Sequence, residues 1–249
     1  MKIGILETGL IRDELASRFD PYPVMFERLL NHAGLDLEYV AYSPVRGQMP
    51  ASIDDCDGWL ITGSRHGVYE QLDWMVSLQE FIRELARAGR PLIGVCFGHQ
   101  IMAEALGGRV VKSDLGWKVG LQNYRLDKGF DWMREQPASV AIHAWHQDQV
   151  VDCPPSAEVF LSAPDCAYAG LSYGDTMISV QAHPEIEADY ERALLELFDG
   201  NLLPEDVARD GFASLDSGAA PDTRLLADWF ARFFLTHQPA AAAKTLEQA

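Results

Sequence analysis

The sequence contains no Cys-x-x-Cys pair. Its four cysteines, Cys56, Cys96, Cys153 and Cys166, stand far apart in a chain of 249 residues. That excludes a zinc-ribbon spacing and gives no disulfide framework, so a reduced, cytoplasmic setting is the simplest expectation. Positive charge is also scarce. Twenty Lys+Arg against 37 Asp+Glu leave a net charge of −17. An acidic balance disfavours nucleic-acid phosphates and anionic membrane surfaces as partners, and its simplest consequence is solubility. No apolar run approaches the roughly 18 residues a membrane-spanning helix needs. The opening Met1-Lys2-Ile3-Gly4-Ile5-Leu6 has neither the apolar core nor the cleavage site of a signal peptide. There is no P-loop, hence no ATP site of that kind. Gly107, Gly108 and Gly116 do not make a Gly-x-Gly-x-x-Gly dinucleotide fingerprint. No internal repeat is visible, and no cofactor is expected.

What is present is ordinary globular composition, 48% hydrophobic and 23% charged, enough for a sizeable core. Apolar strands at Lys2 to Leu6, Leu37 to Tyr42, Gly58 to Thr62 and Pro91 to Val95 alternate with amphipathic helices. The helices are Tyr22 to Ala33, Leu72 to Ala88 and Gly98 to Leu106. Val24, Phe26, Leu29 and Leu30 mark the buried stripe of the first, and Met75, Val76, Ile82 and Leu85 that of the second. This order predicts an α/β fold with a mostly parallel sheet and helices on both faces. From Arg109 to Gln181 short strand-like runs follow one another, at 120–126, 139–144, 159–163, 167–173 and 176–181. They predict an antiparallel extension of the same sheet. Tyr190 to Phe198 reads as helix, and Leu202 to Gly218 as a loop with a helical turn or two. Leu225, Leu226, Trp229, Phe230, Phe233 and Phe234 form the apolar stripe of a last core helix. A single domain over residues 1–236 and a frayed Ala-rich tail over 237–249 are expected.

The strongest chemical signal is Gly94-Val95-Cys96-Phe97-Gly98-His99-Gln100. A buried strand runs into a Gly-x-Cys-x-Gly step and then a helix, the mechanical device of a nucleophile elbow. Small residues on either side let strand and helix approach. The helix N-terminus points free N–H groups at the sulfur and favours thiolate, the nucleophilic form. A thiolate that attacks an amide needs an acid for the departing amine. His183 meets that need. It follows the apolar strand Met177 to Ala182 and opens His183-Pro184-Glu185. Two-residue spacing in extended geometry puts the Glu185 carboxylate on the imidazole's side, where it can set the tautomer and steady the imidazolium. His143 and His146 stand three apart on a strand-like segment with no further ligand at suitable spacing, so no metal site is expected.

Together, Gly94 to Gln100 and Gln181-Ala182-His183-Pro184-Glu185, about 80 residues later, resemble the class I glutamine amidotransferases. The likeness is to free-standing members similar to the amidotransferase domain of GMP synthase, and it runs from Ile3 to Glu185. It implies a flavodoxin-like α/β fold and a Cys-His-Glu triad: Cys96 the nucleophile, His183 the base and acid, Glu185 the orienting carboxylate. It further implies oxyanion-hole N–H groups from Gly63 and Phe97, although Thr62-Gly63-Ser64-Arg65 departs from the commoner Ser-Gly-Gly-Pro loop. Gln100, His146, Gln147 and Asp148 match substrate-binding positions. The implied reaction is hydrolysis of the side-chain amide of glutamine through a Cys thioester, with ammonia passed to a separate synthase subunit. A γ-glutamyl amide or peptide hydrolase using the same triad, and a non-catalytic binding module on this fold, are the alternatives.

Overall fold

The computed structural model describes residues 1–34 and 36–238. Of the expected tail, residues 239–249 lie outside the described residues.

Nine strands form one sheet. In spatial order they are β2 (Glu38–Tyr42), β1 (Lys2–Leu6), β3 (Gly58–Ile61), β4 (Leu92–Val95), β11 (Met177–Val180), β10 (Cys166–Tyr173), β9 (Ala157–Ala163), β6 (Lys118–Leu126) and β7 (Ser139–His146). The first five run parallel. From β10 onward every pairing is antiparallel, which is the extension expected from the sequence. Two further strands, β5 (Arg109–Lys112) and β8 (Asp148–Asp152), pair antiparallel as a small separate sheet. They are short and end in charged residues, so no apolar alternation marked them.

The parallel strands are apolar on both sides because both faces are covered. On one face Ile3, Ile5, Leu60, Ile93, Val95, Ile178 and Val180 pack with helices α1 (Tyr22–Asn31) and α6 (Thr223–Thr236). On the other, Leu6, Trp59, Ile61, Leu92 and Met177 pack with α2 (Asp73–Ala88) and α3 (Phe97–Ala105). The stripe of α6 is core: Trp229, Phe230, Phe233 and Phe234 are at most 1% exposed. Burial of each such side chain contributes roughly 1.5–3 kcal/mol. Val24 and Val76 depart from expectation. Each is exposed, because Met25, Phe26, Leu29 and Leu30 in α1, and Met75, Leu78, Phe81, Ile82 and Leu85 in α2, set a stripe one residue away.

Two more helices, α4 (Ala188–Phe198) and α5 (Glu205–Asp216), cover the antiparallel end. The second corrects the loop expected over 202–218. Its buried seam consists of small residues, Ala208 and Gly211, with Val207, Phe212 and Leu215 half-buried beside them. A Cβ on Gly211 would stand 2.8 Å from Leu195 and 2.9 Å from Val119. Close packing through a glycine carries little hydropathy signal, so the periodicity was hidden. Among the described residues no helix is long and apolar enough to cross a membrane.

Candidate active site

The site sits at the carboxyl ends of three adjacent parallel strands, where open α/β sheets present ligand crevices. β3 leads to Gly63, β4 to Cys96 and β11 to His183. Because Val95 pairs with Val180 and Gly94 with Ile61, sheet register alone brings the three together.

Cys96 occupies the strand-to-helix step with φ 53° and ψ −102°, a left-handed conformation that disfavours any side chain. Its N–H donates to Val180 O at 2.9 Å, and its carbonyl accepts Gln100 N–H at 3.0 Å, which fix the turn from both sides. The flanking glycines are steric requirements. A Cβ on Gly94 would lie 2.6 Å from Gly98 O, and one on Gly98 2.4 Å from Ile61 O. The thiol is 5% exposed, with Trp145 O 3.9 Å from its sulfur.

His183 and Glu185 lie in the turn after β11, both buried. Nδ1 of His183 is 2.7 Å from Oε1 of Glu185. A carboxylate at Nδ1 assigns the proton there and aims Nε2 elsewhere. Nε2 has no hydrogen-bond partner among the described residues. Burial by itself would lower the pKa of this imidazole. The Cys96 thiolate and the Glu185 carboxylate outweigh it and hold the pKa well above the ordinary value. A Cβ on Gly63 would stand 2.9 Å from His183 Cε1 and 3.8 Å from Cys96 Cβ, so only a glycine leaves this corner open.

The Gly63 loop is held from beneath by residues the sequence did not single out. Thr8 N–H donates to Thr62 Oγ1 at 3.0 Å, and Thr8 Oγ1 donates to Thr62 O at 2.8 Å. A Cβ on Gly9 would meet Gly63 O at 2.5 Å. Gly63 N–H has no partner among the described residues. Phe97 N–H opens α3 and is one of the donors a helix start leaves free.

His143 was also missed as a positioning group. Its carbonyl accepts His183 N–H at 2.8 Å, and its Nδ1 donates to Ile186 O at 2.8 Å, so one residue clamps both ends of the His183–Ile186 turn. Burial lowers its pKa and keeps the ring neutral. His146 is buried and neutral as well, with a pKa of about 3 set by burial and then by His183. Its Nδ1 donates to Asp148 O at 3.2 Å. Gln100 Nε2 donates to the same carbonyl at 2.9 Å and faces Gln181 Oε1 at 3.2 Å. Gln100 and His146 therefore brace the backbone of the 146–148 segment.

A cavity of about 320 Å³ opens over the sulfur, with Cys96, Gln100, His146, Gln147 and Asp148 in its lining. That volume lies at the lower end of the roughly 300–1,000 Å³ of small-molecule sites. The Asp148 carboxyl, raised in pKa by burial, accepts Tyr69 O–H at 3.4 Å. Among the described residues no three His, Cys, Asp or Glu side chains are grouped to hold a metal ion.

A cysteine on a strained strand-to-helix turn thus lies over a mostly parallel sheet, beside a buried His–carboxylate pair. The glutamine amidotransferase class-I family model matches residues 22–198, and the chain belongs to that family. It is 33% identical to gamma-glutamyl peptidase 3 of Arabidopsis thaliana over 189 residues, 72% of this chain and 75% of that protein. It is 25% identical to the glutamine-hydrolyzing GMP synthase of Streptococcus mutans over 86% of this chain but 40% of that protein. The crystal structure of glutamine amidotransferase from Methylobacillus flagellatus superposes with a TM-score of 0.75 at 21% identity, covering 96% of this chain and 95% of that one. That likeness shows the fold.

Proposed function

We propose that this chain is a Cys-His-Glu amidohydrolase that cleaves the side-chain amide of a γ-glutamyl group. The observation that supports it most directly is the buried His183–Glu185 pair at 2.7 Å, its Nε2 unpartnered, beside a cysteine held at φ 53°.

The Cys96 thiolate attacks the amide carbon, and the C–S bond forms as the carbonyl electrons move onto oxygen. Gly63 and Phe97 N–H groups hold that oxyanion, a device worth about 3–4 kcal/mol per donor in comparable enzymes. The His183 imidazolium gives its Nε2 proton to the departing nitrogen, and the C–N bond breaks. Ammonia or an amine leaves, and a γ-glutamyl thioester remains. His183 Nε2 then takes a proton from water as the hydroxyl adds to the thioester. Collapse breaks the C–S bond and returns glutamate and thiolate. Glu185 keeps the ring oriented throughout. Gln100, His146, Gln147 and Asp148 hold the glutamyl end.

Glutamine is the simplest substrate of this chemistry and fits the class, with a separate synthase as the acceptor of ammonia. Hydrolysis of γ-glutamyl peptides is the second reading. It is favoured by a cavity lined by Trp117, Trp145 and Leu202 as well as Cys96, an apolar surface that departing ammonia does not use. The deciding experiment is kcat/KM for glutamate release from glutamine and from γ-glutamyl peptides on the isolated protein. A preference for the peptides of 100-fold or more, about 2.7 kcal/mol of differential transition-state binding, selects the peptidase reading. A comparable preference for glutamine selects the amidotransferase reading.

A further inference from the structure

We propose that Arg12, with the Trp117–Trp145 wall, forms a leaving-group subsite for the free carboxylate and apolar side chain of an amino acid joined to the γ-glutamyl group. The inference rests on the hydrolase chemistry above and names the substrate class for it.

The cavity has two unlike ends. At one, Tyr69, Glu70, Lys112 and Asp148 surround the braced 146–148 segment with mixed charge, suited to an amino-acid zwitterion. At the other, the Trp117 and Trp145 rings lie 5.9 Å apart, Trp145 meets Phe198 at 5.9 Å, and exposed Leu202 completes the wall. Arg12 lies over the Phe198 ring, 4.9 Å from its centroid, and lines the same cavity.

Trp145 joins this end to the reacting atom: its carbonyl oxygen lies 3.9 Å from the Cys96 sulfur, and Cys96 lines the same cavity. The departing nitrogen leaves from the carbon bonded to that sulfur, so the group it carries is released into the cavity these residues line.

Arg12 is half-buried and has no carboxylate within ion-pair distance among the described residues, in a chain with a net charge of −17. A guanidinium kept without a counter-ion at a cavity mouth, and steadied on an aromatic face, is suited to bidentate capture of a carboxylate. The indoles beside it offer apolar surface to the side chain two bonds away. Ammonia would use neither feature. A γ-glutamyl dipeptide with an apolar second residue uses both.

The test measures glutamate release from γ-glutamyl-phenylalanine, from γ-glutamyl-phenethylamine, which lacks only the carboxylate, and from glutamine. Wild type is compared with Arg12→Gln, Arg12→Lys and Trp117→Ala. In Arg12→Gln the ratio of kcat/KM for γ-glutamyl-phenylalanine over γ-glutamyl-phenethylamine should fall about 10–100-fold, chiefly through KM, and Arg12→Lys should recover part of it. In Trp117→Ala both aromatic substrates should weaken relative to glutamine. An unchanged carboxylate ratio in Arg12→Gln would overturn the subsite, provided Cys96→Ala is inactive on all three compounds. If Cys96→Ala retains turnover, the hydrolase reading fails instead, and the two failures are told apart.

Discussion

Nδ1 of His183 lies 2.7 Å from Oε1 of Glu185, two residues along a turn in which both side chains are buried. The pair is self-contained, because Oε2 of the glutamate has no other partner among the described residues. The carboxylate's one hydrogen bond among the described residues is to the imidazole.

Replacing Glu185 by Gln removes a charge that raises the His183 pKa. The stabilisation from that raised pKa is present in full below the unfolded value of about 6.5 and is lost as pH rises through the folded value. Glu185→Gln should lower kcat roughly 10²–10⁴-fold and move the alkaline limb of its pH profile to lower pH. An unchanged limb with near wild-type kcat would remove Glu185 from the mechanism.

Gly63→Ala places a methyl 2.9 Å from His183 Cε1, and either the ring or the loop must shift. The expected outcome is a kcat loss of about 10²-fold or more, with the far-ultraviolet circular dichroism spectrum retained. Full activity would mean that this corner accommodates a methyl without displacing the His183 ring or the loop.

The strain at Cys96 can be read as stability. A side chain at this backbone conformation costs about 1–3 kcal/mol, which glycine avoids at an entropic cost of roughly 0.5–1 kcal/mol. Cys96→Gly should therefore be more stable to urea than Cys96→Ala, by about 1 kcal/mol, although both are inactive. Equal stabilities would show that the turn stores no strain.

Much of this site was legible because its chemistry is concentrated in two short motifs at strand ends. Gly94 and Gly98 are visible in sequence as spacing, and the structure gives their cause in contacts of 2.6 and 2.4 Å. The parallel order followed from apolar runs between amphipathic stripes. What was hidden depends on long-range contacts. Thr8 and Gly9 support Gly63 from 54 or more positions away, and His143 clamps a turn 40 residues later through its carbonyl and its Nδ1, contacts that no local spacing marks. Helix α5 was hidden because its seam is Ala208 and Gly211, whose packing depends on shape.

Glu191 gives a prediction that does not involve the sulfur. It is fully buried, its Oε1 accepts Gly120 N–H at 2.7 Å, and burial pushes its pKa up to about 7. The folded state then holds a proton that the unfolded chain releases near 4.5, so this residue lowers stability as pH rises from about 4.5 to 7. Glu191→Gln keeps an acceptor for Gly120 and carries no charge. The stability of the variant relative to wild type, from urea melts at pH 4.5 and pH 8, should improve by up to about 3 kcal/mol across that range. A pH-independent difference would contradict the buried neutral carboxyl.

The central claim is covalent: the γ-glutamyl group passes through a thioester on Cys96. The direct measurement is acid quenching of the enzyme during turnover of glutamine or a γ-glutamyl dipeptide, followed by peptide-level mass spectrometry. A glutamyl adduct on the peptide containing Cys96, absent in Cys96→Ser and lost on treatment with hydroxylamine, is the predicted result. Glutamate release that continues in Cys96→Ser, or an adduct on Cys56, Cys153 or Cys166, would contradict the account.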